Sequence, residues 1–458
     1  MKVIICGAGQ VGYNIARHLA EQQNDVTVID RSSKLIRKIS DLLDVQALEG
    51  HASDPNLLDQ AGAADADMLI AVTISDEVNM VACQIAHSLF NIPTKIARIR
   101  NQAYQEPQWA DLFTQDNLPI DVIISPEKEV ARAIYRRLEV PGAFDSIPFA
   151  GDRVRVLGLW LEDNCPVVDT PLRQLTELFP ELRIRVLAIL RGDRLFVPSA
   201  DDHMEVGDGV YIAVESAHVA RAMGVFGHEE EAARRVAIIG GGSVGLFLAR
   251  RLEAHTPRIH VKLVERNEER AAFVADKLAR TVVILGDALD EEILREANVA
   301  ESETVVTVTN EDEVNILSAL LAKRFGAKRG IALINNPVFA PLVSSLGIDV
   351  RVDPREMTVS TILRHIRRGR IRDLHSILDG RAEIIEAETL EASELVGKTV
   401  RQIKLPHGVV VGAIVRENAV VIPRGTTEFA AGDHVILLAM ADAVATVERL
   451  FSVRLEFF

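Results

Sequence analysis

The sequence predicts an α/β chain built from two doubly wound parallel-sheet lobes, each followed by a small α+β lobe. Three observations predict it. Gly7-Ala8-Gly9-Gln10-Val11-Gly12 returns as Gly240-Gly241-Gly242-Ser243-Val244-Gly245. Around each copy, apolar strand-like runs alternate with amphipathic helical patterns, the signature of a parallel sheet covered on both faces. A shorter motif also occurs twice, once behind each copy. At 458 residues the chain is long enough for several cores.

The elements follow in order. Val3-Ile4-Ile5-Cys6 is a continuous apolar run, so the first strand is 2–6, buried on both faces. Strands are then expected at 25–30, 44–48, 67–72, 94–99 and 121–124. Helical periodicity fills the gaps at 10–22, 32–40, 55–62, 76–90 and 103–113, and another helix follows at 126–138. The second half repeats this, with strands near 236–239, 259–264, 281–285, 303–308, 330–334 and 348–352 and a closing helix at 355–366. The correspondence reaches beyond the glycines. Gly50 with Asp54 matches Gly286 with Asp290, and Asp76-Glu77-Val78-Asn79 matches Asp312-Glu313-Val314-Asn315 without change. Thr73 sits where Thr309 sits, and Tyr104 where Phe339 sits. Agreement over this span indicates duplication of a Rossmann-like unit.

The smaller unit runs from Val186-Leu187-Ala188-Ile189-Leu190-Arg191 through Phe196-Val197-Pro198 to Gly207-Asp208. Its copy is Val411-Gly412-Ala413-Ile414-Val415-Arg416, Val421-Ile422-Pro423 and Gly432-Asp433. Short strands with turns are expected, with helices near 171–179 and 216–223, and near 398–404 and 441–450. The expected domains are 1–140, 141–226, 232–355 and 373–458. The charged link Gly227-His228-Glu229-Glu230-Glu231 reads as a solvated connector.

A net charge of −15 and pI ≈ 5.4 argue against nucleic acid or unaided membrane adsorption. No apolar stretch approaches the ~18 residues a membrane span needs, and no signal-peptide pattern precedes the first strand. A soluble cytoplasmic chain is expected. Cys6, Cys83 and Cys165 lack metal spacing, and the first two read as buried hydrophobes. No metal site is expected.

Each glycine turn stands between an apolar strand and a helix, and each is followed by an acid at the tip of the next strand, Asp30 or Glu265. That is the full dinucleotide fingerprint in context. Gly7 permits the bend, Gly9 lets backbone approach a pyrophosphate, and Gly12 lets the helix pack closely. The helix beginning near Gln10 aims unpaired N–H groups at the phosphates. A carboxylate at Asp30 accepts from ribose hydroxyls and repels a 2′-phosphate, which favours NAD(H). Glu265 repeats the role farther out, two residues later relative to its glycines, an offset expected to be absorbed around His255-Thr256-Pro257.

Strand five differs between copies: Ala97-Arg98-Ile99-Arg100 against Ala332-Leu333-Ile334-Asn335. Arg98 or Arg100 either grips phosphate or is simply solvated at the strand end; the first reading makes the first site the tighter one for polyphosphate ligands. Thr73 and Thr309 either donate to the ligand or cap the helix that begins at Asp76 or Asp312. No acid–base pairing suited to hydride chemistry appears, and His51 has Asp287 as its twin. The expected class is therefore a sensor of nucleotide without catalysis; the alternative is an NAD-dependent oxidoreductase. The basic run Arg364-His365-Ile366-Arg367-Arg368-Gly369-Arg370-Ile371-Arg372 is either a solvated helix end or a docking patch.

On these motifs and their fourfold lobe order, the chain resembles the TrkA family, regulatory subunits of bacterial Trk potassium-uptake systems, with tandem RCK (or KTN) domains. The resemblance covers nearly the whole chain. It implies a peripheral protein on the cytoplasmic face of the inner membrane, a homotetrameric ring beneath a TrkH- or TrkG-like potassium channel. It implies gating by NAD(H), with ATP or ADP possible at the first site. The implied binding positions are Gly7, Ala8, Gly9, Gln10, Val11, Asp30, Thr73, Ile74 and Arg98 in the first lobe. In the second they are Gly240, Gly241, Gly242, Ser243, Val244, Glu265 and Thr309.

Overall fold

The computed structural model describes residues 1–179, 183–230, 233–256, 258–366, 371–378 and 380–451. The first sheet holds β1 (Lys2–Cys6), β2 (Asp25–Asp30), β3 (Gln46–Glu49), β4 (Met68–Ala71), β5 (Thr94–Arg98) and β6 (Val122–Ile124). Its order is β3-β2-β1-β4-β5-β6. Each pair is parallel, with Lys2 opposite Asp25 and Val3 opposite Met68. Helices α1 (Gln10–Glu21), α2 (Ser33–Leu42), α3 (Pro55–Gln60) and α4 (Asp76–Ser88) make the crossovers. α1 buries Val11, Ile15, Ala16 and Leu19, the spacing of one helical face. α3 is capped by Asp54, whose carboxylate accepts from Asn56 N–H at 2.9 Å. The helix expected at 103–113 is two 3₁₀ stretches, Gln102–Gln105 and Pro107–Phe113, because Pro107 opens a new turn.

α5 (Pro126–Glu139) leads into a five-stranded antiparallel sheet of β7 (Ala143–Phe149), β8 (Val154–Trp160), β9 (Ile184–Arg191), β10 (Arg194–Phe196) and β11 (Gly209–Glu215), with α6 (Leu172–Leu178) and α7 (Val219–Val225). The second parallel sheet contains β12 (Arg235–Ile239), β13 (His260–Glu265), β14 (Val282–Leu285), β15 (Thr304–Thr307), β16 (Arg329–Leu333) and β17 (Val350–Val352). Its order, β14-β13-β12-β15-β16-β17, reproduces the first. Its helices are α8 (Ser243–His255), α9 (Glu268–Asp276), α10 (Glu291–Glu296), α11 (Asp312–Arg324) and α12 (Ala340–Ser345), and α13 (Pro354–Ile366) follows β17. Part of the offset before Glu265 is one extra residue in α8, 13 against 12 in α1, and Pro257 lies outside the described residues.

The last sheet has β18 (Ile371–Ile377), β19 (Ala382–Glu388), β20 (Val409–Arg416), β21 (Ala419–Val421) and β22 (His434–Met440), with α14 (Val444–Phe451). No helix forms at 398–404. There Val400 N–H donates to Thr427 O at 2.9 Å and Arg401 N–H to Gly425 O at 3.0 Å, so the segment is held in turns against a neighbouring loop. Both small lobes repeat one ion pair on a buried aspartate. Asp208, 1% exposed, takes Arg191 in a fork at 2.9 and 2.8 Å, and Asp433 takes Arg416 at 2.8 and 2.9 Å. The two small lobes share a core that includes Phe149, Leu187, Tyr211, Ile384, Ile436 and Leu438.

The expected connector is only partly solvated. His228 is 7% exposed, and its Nε2 donates to Trp160 O at 3.0 Å. In the basic run, Arg372 pairs with Glu388; residues 367–370 and the side chains of Arg364 and Ile366 lie outside the described residues.

The chain forms two compact units that do not follow its covalent halves. One joins Met1–Glu129 to the stretch that begins at Arg355; the other holds Val130–Pro354 and the chain after α13. The helix the sequence places as the second half's closing helix therefore belongs with the first sheet. Most of α5 belongs instead with the second. There Arg251 lies 4.8 Å over the Tyr135 ring, and Arg329 donates to Arg137 O at 3.3 Å and to Ala143 O, near the C-terminal end of α5.

Candidate functional site

The order of the first sheet reverses between β1 and β4, and a crevice opens there beyond the strand tips. Gly7 turns the chain out of β1 at φ +114°, in the region only glycine adopts freely. A Cβ there would sit 3.0 Å from Val72 O and Thr73 N. Gly12 is tighter still, since its Cβ would lie 1.8 Å from Gly7 O, so α1 packs on the turn itself. Gly9 differs from both. It caps α1 with ordinary extended geometry and has nothing within 4 Å of where a Cβ would be. Its surroundings are open space, and Gly9, Gln10 and Val11 line a cavity of about 520 Å³ there. That volume is in the range of small-molecule sites.

Asp30 reaches back across the turn. Its Oδ2 accepts from Ala8 N–H at 2.7 Å and its Oδ1 from Ser32 N–H at 2.8 Å. Both oxygens keep a lone pair for a further donor. Ile74, 76% exposed, and Thr73 line the same cavity.

Thr73 does not cap α4. The cap is Ser75, whose Oγ accepts from Val78 N–H at 3.3 Å. Thr73 Oγ1 instead lies 2.7 Å from Asn79 Oδ1 and 3.1 Å from Ser75 O. The fully buried Asn79 is what holds the crevice floor. Its Oδ1 accepts from Thr73 N–H at 2.9 Å, and its Nδ2 donates to Thr73 O at 3.3 Å and Arg98 O at 2.8 Å, clasping the ends of β4 and β5. Asp76 accepts from Arg100 N–H at 3.0 Å and Asn101 N–H at 2.7 Å, so it too serves the strand end. The unchanged Asp-Glu-Val-Asn repeat carried this signal.

The two arginines separate. Arg100 Nε pairs with Glu127 at 3.1 Å, and its side chain is 52% exposed. Arg98 turns into the cavity: its Nη2 donates to Thr73 O at 3.2 Å, while its Nε is buried without a hydrogen-bond partner. Burial, and then the like charge of Arg100, hold the Arg98 guanidinium below its ordinary pKa. A partly desolvated guanidinium in the cavity wall gains from an anion there. Arg31, Leu35, His51 and Arg355 also line it, positions the motif reading did not select.

The second lobe builds the same turn. Gly240 has φ +108°, and a Cβ on Gly245 would lie 2.0 Å from Gly240 O. Gly242 caps α8, ahead of Ser243 and Val244. Glu265 Oε2 accepts from Gly241 N–H at 2.7 Å. Its longer side chain occupies the space a Cβ on Gly241 would need, with approaches of 3.0–3.2 Å, which explains glycine here against Ala8 in the first copy. Asn315 repeats the clasp, accepting from Thr309 N–H at 2.8 Å and donating to Leu333 O at 2.9 Å. Thr309 Oγ1 lies 2.8 Å from Asn315 Oδ1 and accepts from Glu311 N–H at 3.2 Å; Glu311, not Thr309, holds the cap position of α11.

Two substitutions change the second crevice. Leu333 replaces Arg98, and Arg270 replaces Leu35. Arg270 Nε donates to Gly241 O at 2.7 Å, with its guanidinium 4.9 Å over Phe273, so a cation already rests on the glycine turn. Among the described residues, no cluster of three His, Cys, Asp or Glu could hold a metal, and no helix is long and apolar enough to cross a membrane.

Known proteins match this arrangement along its length. The TrkA-N domain model matches residues 3–126 and 236–354, and the TrkA-C domain model matches 161–227 and 384–452. The Trk system potassium uptake protein TrkA of Azorhizobium caulinodans is 50% identical over 458 residues, 100% of both chains. That of Halomonas elongata is 42% identical, again over 100% of both. Among solved structures, the GsuK RCK domain aligns at TM-score 0.59 and 19% identity, over 99% of this chain and 95% of that one. The GsuK channel bound to NAD aligns at 0.60 and 18%, over 99% and 79%. At these identities the structural likeness concerns the fold.

Proposed function

The chain belongs to the TrkA family, and from that premise we propose that it is a nucleotide-sensing regulatory subunit of a Trk-type potassium-uptake system. In this reading NAD(H) binds the first crevice, and ATP or ADP can take the same place. The N–H groups of the glycine turn and the start of α1 receive the phosphates, Arg98 adds a charge-assisted contact, and Asp30 accepts from ribose hydroxyls. One observation carries it: Arg98 lines, together with Asp30, a cavity bounded by the glycine turn. The second crevice is a further NAD(H) site of lower affinity, since Leu333 has no charge to offer.

The nucleotide acts as a signal and is not consumed. Several chains, four in the family ring, sit peripherally at the inner membrane beneath a TrkH- or TrkG-like channel. A ligand shifts such a ring only by its differential affinity for open and closed shapes, and a coupling of about 1–3 kcal/mol gives about 5–150-fold. The test is calorimetric titration of NADH into the full chain, followed by potassium flux through the co-reconstituted channel with and without nucleotide. Tight binding with nucleotide-dependent flux is expected. Oxidation of bound NADH by a substrate, read at 340 nm, would favour an oxidoreductase instead.

A further inference from the structure

One cation at the first cavity comes from far along the chain. Arg355 is the second residue of α13 and follows the last strand of the second lobe, yet it lines the cavity formed by Gly9, Asp30, Thr73 and Arg98. α13 belongs with the first unit from Arg355 onward, and the helix is anchored by the burial of Met357, Thr358, Ile362 and Leu363.

Among the lining residues, cations outnumber acids. Arg31, Arg98, Arg100 and Arg355 line the cavity, and Asp30 is the acid beside them. Asp30 is engaged by two backbone N–H groups, and Arg100 is answered by Glu127. The duplication supplies an internal comparison. Pro354-Arg355 follows β17 as Pro126-Glu127 follows β6, so the matching first-half position carries the opposite charge. Together with Arg98 against Leu333, this concentrates positive charge on the first site.

We propose that Arg355 is a nucleotide-binding residue of the first site, adding a phosphate contact that favours ligands with more than one phosphate. The proposal deepens the nucleotide reading and rests on it. Its structural consequence lies in where Arg355 stands. The chain passes from one compact unit to the other between Pro354 and Arg355. A phosphate held by Arg355 therefore fixes the start of α13 at that junction, so occupancy of the cavity is felt by the helix that carries the chain onward to the second small lobe.

The test titrates AMP, ADP, ATP and NADH into the full-length wild type, R355Q, R355K and R98L. A charged contact to phosphate predicts that R355Q weakens ADP, ATP and NADH about tenfold and AMP less than threefold, with R355K in between. Hydrogen exchange across 355–366 slows on adding ATP to the wild type and not to R355Q. Melting of the unliganded variants stays within about 2 °C of the wild type. Equal losses for AMP and ATP, or unchanged ATP affinity in R355Q while R98L loses it, overturn the role of Arg355 and leave the nucleotide reading standing. A wild type that binds none of the four overturns both.

Discussion

Replacing Arg98 by the leucine that its own second copy carries separates a ligand-binding residue from a structural one. In the unliganded chain Arg98 contributes little. Its guanidinium makes one hydrogen bond, to Thr73 O at 3.2 Å, and Asn79 Nδ2 already donates to that carbonyl at 3.3 Å. Its Nε is buried and unpartnered, a cost that R98L removes. The second lobe shows that leucine fits: Leu333 is 5% exposed in β16, and Asn315 clasps its carbonyl as Asn79 clasps that of Arg98. R98L should therefore change stability by less than about 1 kcal/mol in either direction. The liganded state should suffer much more. A hydrogen bond to a charged group contributes about 1.5–3 kcal/mol, which corresponds to about 10–150-fold in dissociation constant. Calorimetric titration of NADH into the full chain reads the affinity, and urea unfolding without nucleotide reads the stability. Affinity within twofold of wild type, or a stability loss beyond about 3 kcal/mol, would refute the assignment of Arg98 to the ligand.

Further expectations concern the turn and the core. D30A removes the acceptor for Ala8 and Ser32 N–H as well as the ribose partner, so it should weaken NADH binding and also lower stability by about 3 kcal/mol in urea unfolding. G9A and G12A should part company. A Cβ on Gly9 enters only the cavity, so melting should stay put while NADH affinity falls; a Cβ on Gly12 meets Gly7 O at 1.8 Å and should cost about 3 kcal/mol or more. Burial raises the Cys6 thiol from its ordinary 9.0 to about 12 and raises Cys83 as well. The folded state thus keeps protons that the unfolded state releases above pH 9. Stability is fully present below that pH and should fall between pH 9 and 12 by about 1 kcal/mol per unit for Cys6 alone. Urea midpoints across that range should show a shallower fall in C6A, and an identical slope would count against the buried-thiol account.

The parallel sheets were legible because buried strands in such sheets are continuous apolar runs, and Val3 to Cys6 or Val236 to Ile239 admit little else. The glycine positions were legible because their constraints are local. Other features were hidden by their physics. Segment 398–404 has apolar spacing, but Val400 and Arg401 N–H go to the 425–427 loop, a non-local pairing that periodicity does not report. For Thr73 and Thr309 the distance to the helix start left a cap open beside a ligand contact, and the cap fails because Asn79 and Asn315 claim their hydroxyls from one turn inside the helix. Arg270 was hidden for another reason. A long polar side chain on an exposed helix face is ordinary, and only its fold back onto Gly241 O gives it meaning.

The return of α13 to the first unit bears on how the molecule is made. A ribosome releases β6 and then must translate through the whole second sheet before Pro354 emerges. At about 5–20 residues per second, the nascent first lobe waits on the order of ten seconds or more without the helix that buries Met357, Ile362 and Leu363. A chain cut at the link near Gly227 never receives it. Truncated or stalled products therefore lack one element of the first unit, and completion of that unit is timed by synthesis of distant residues.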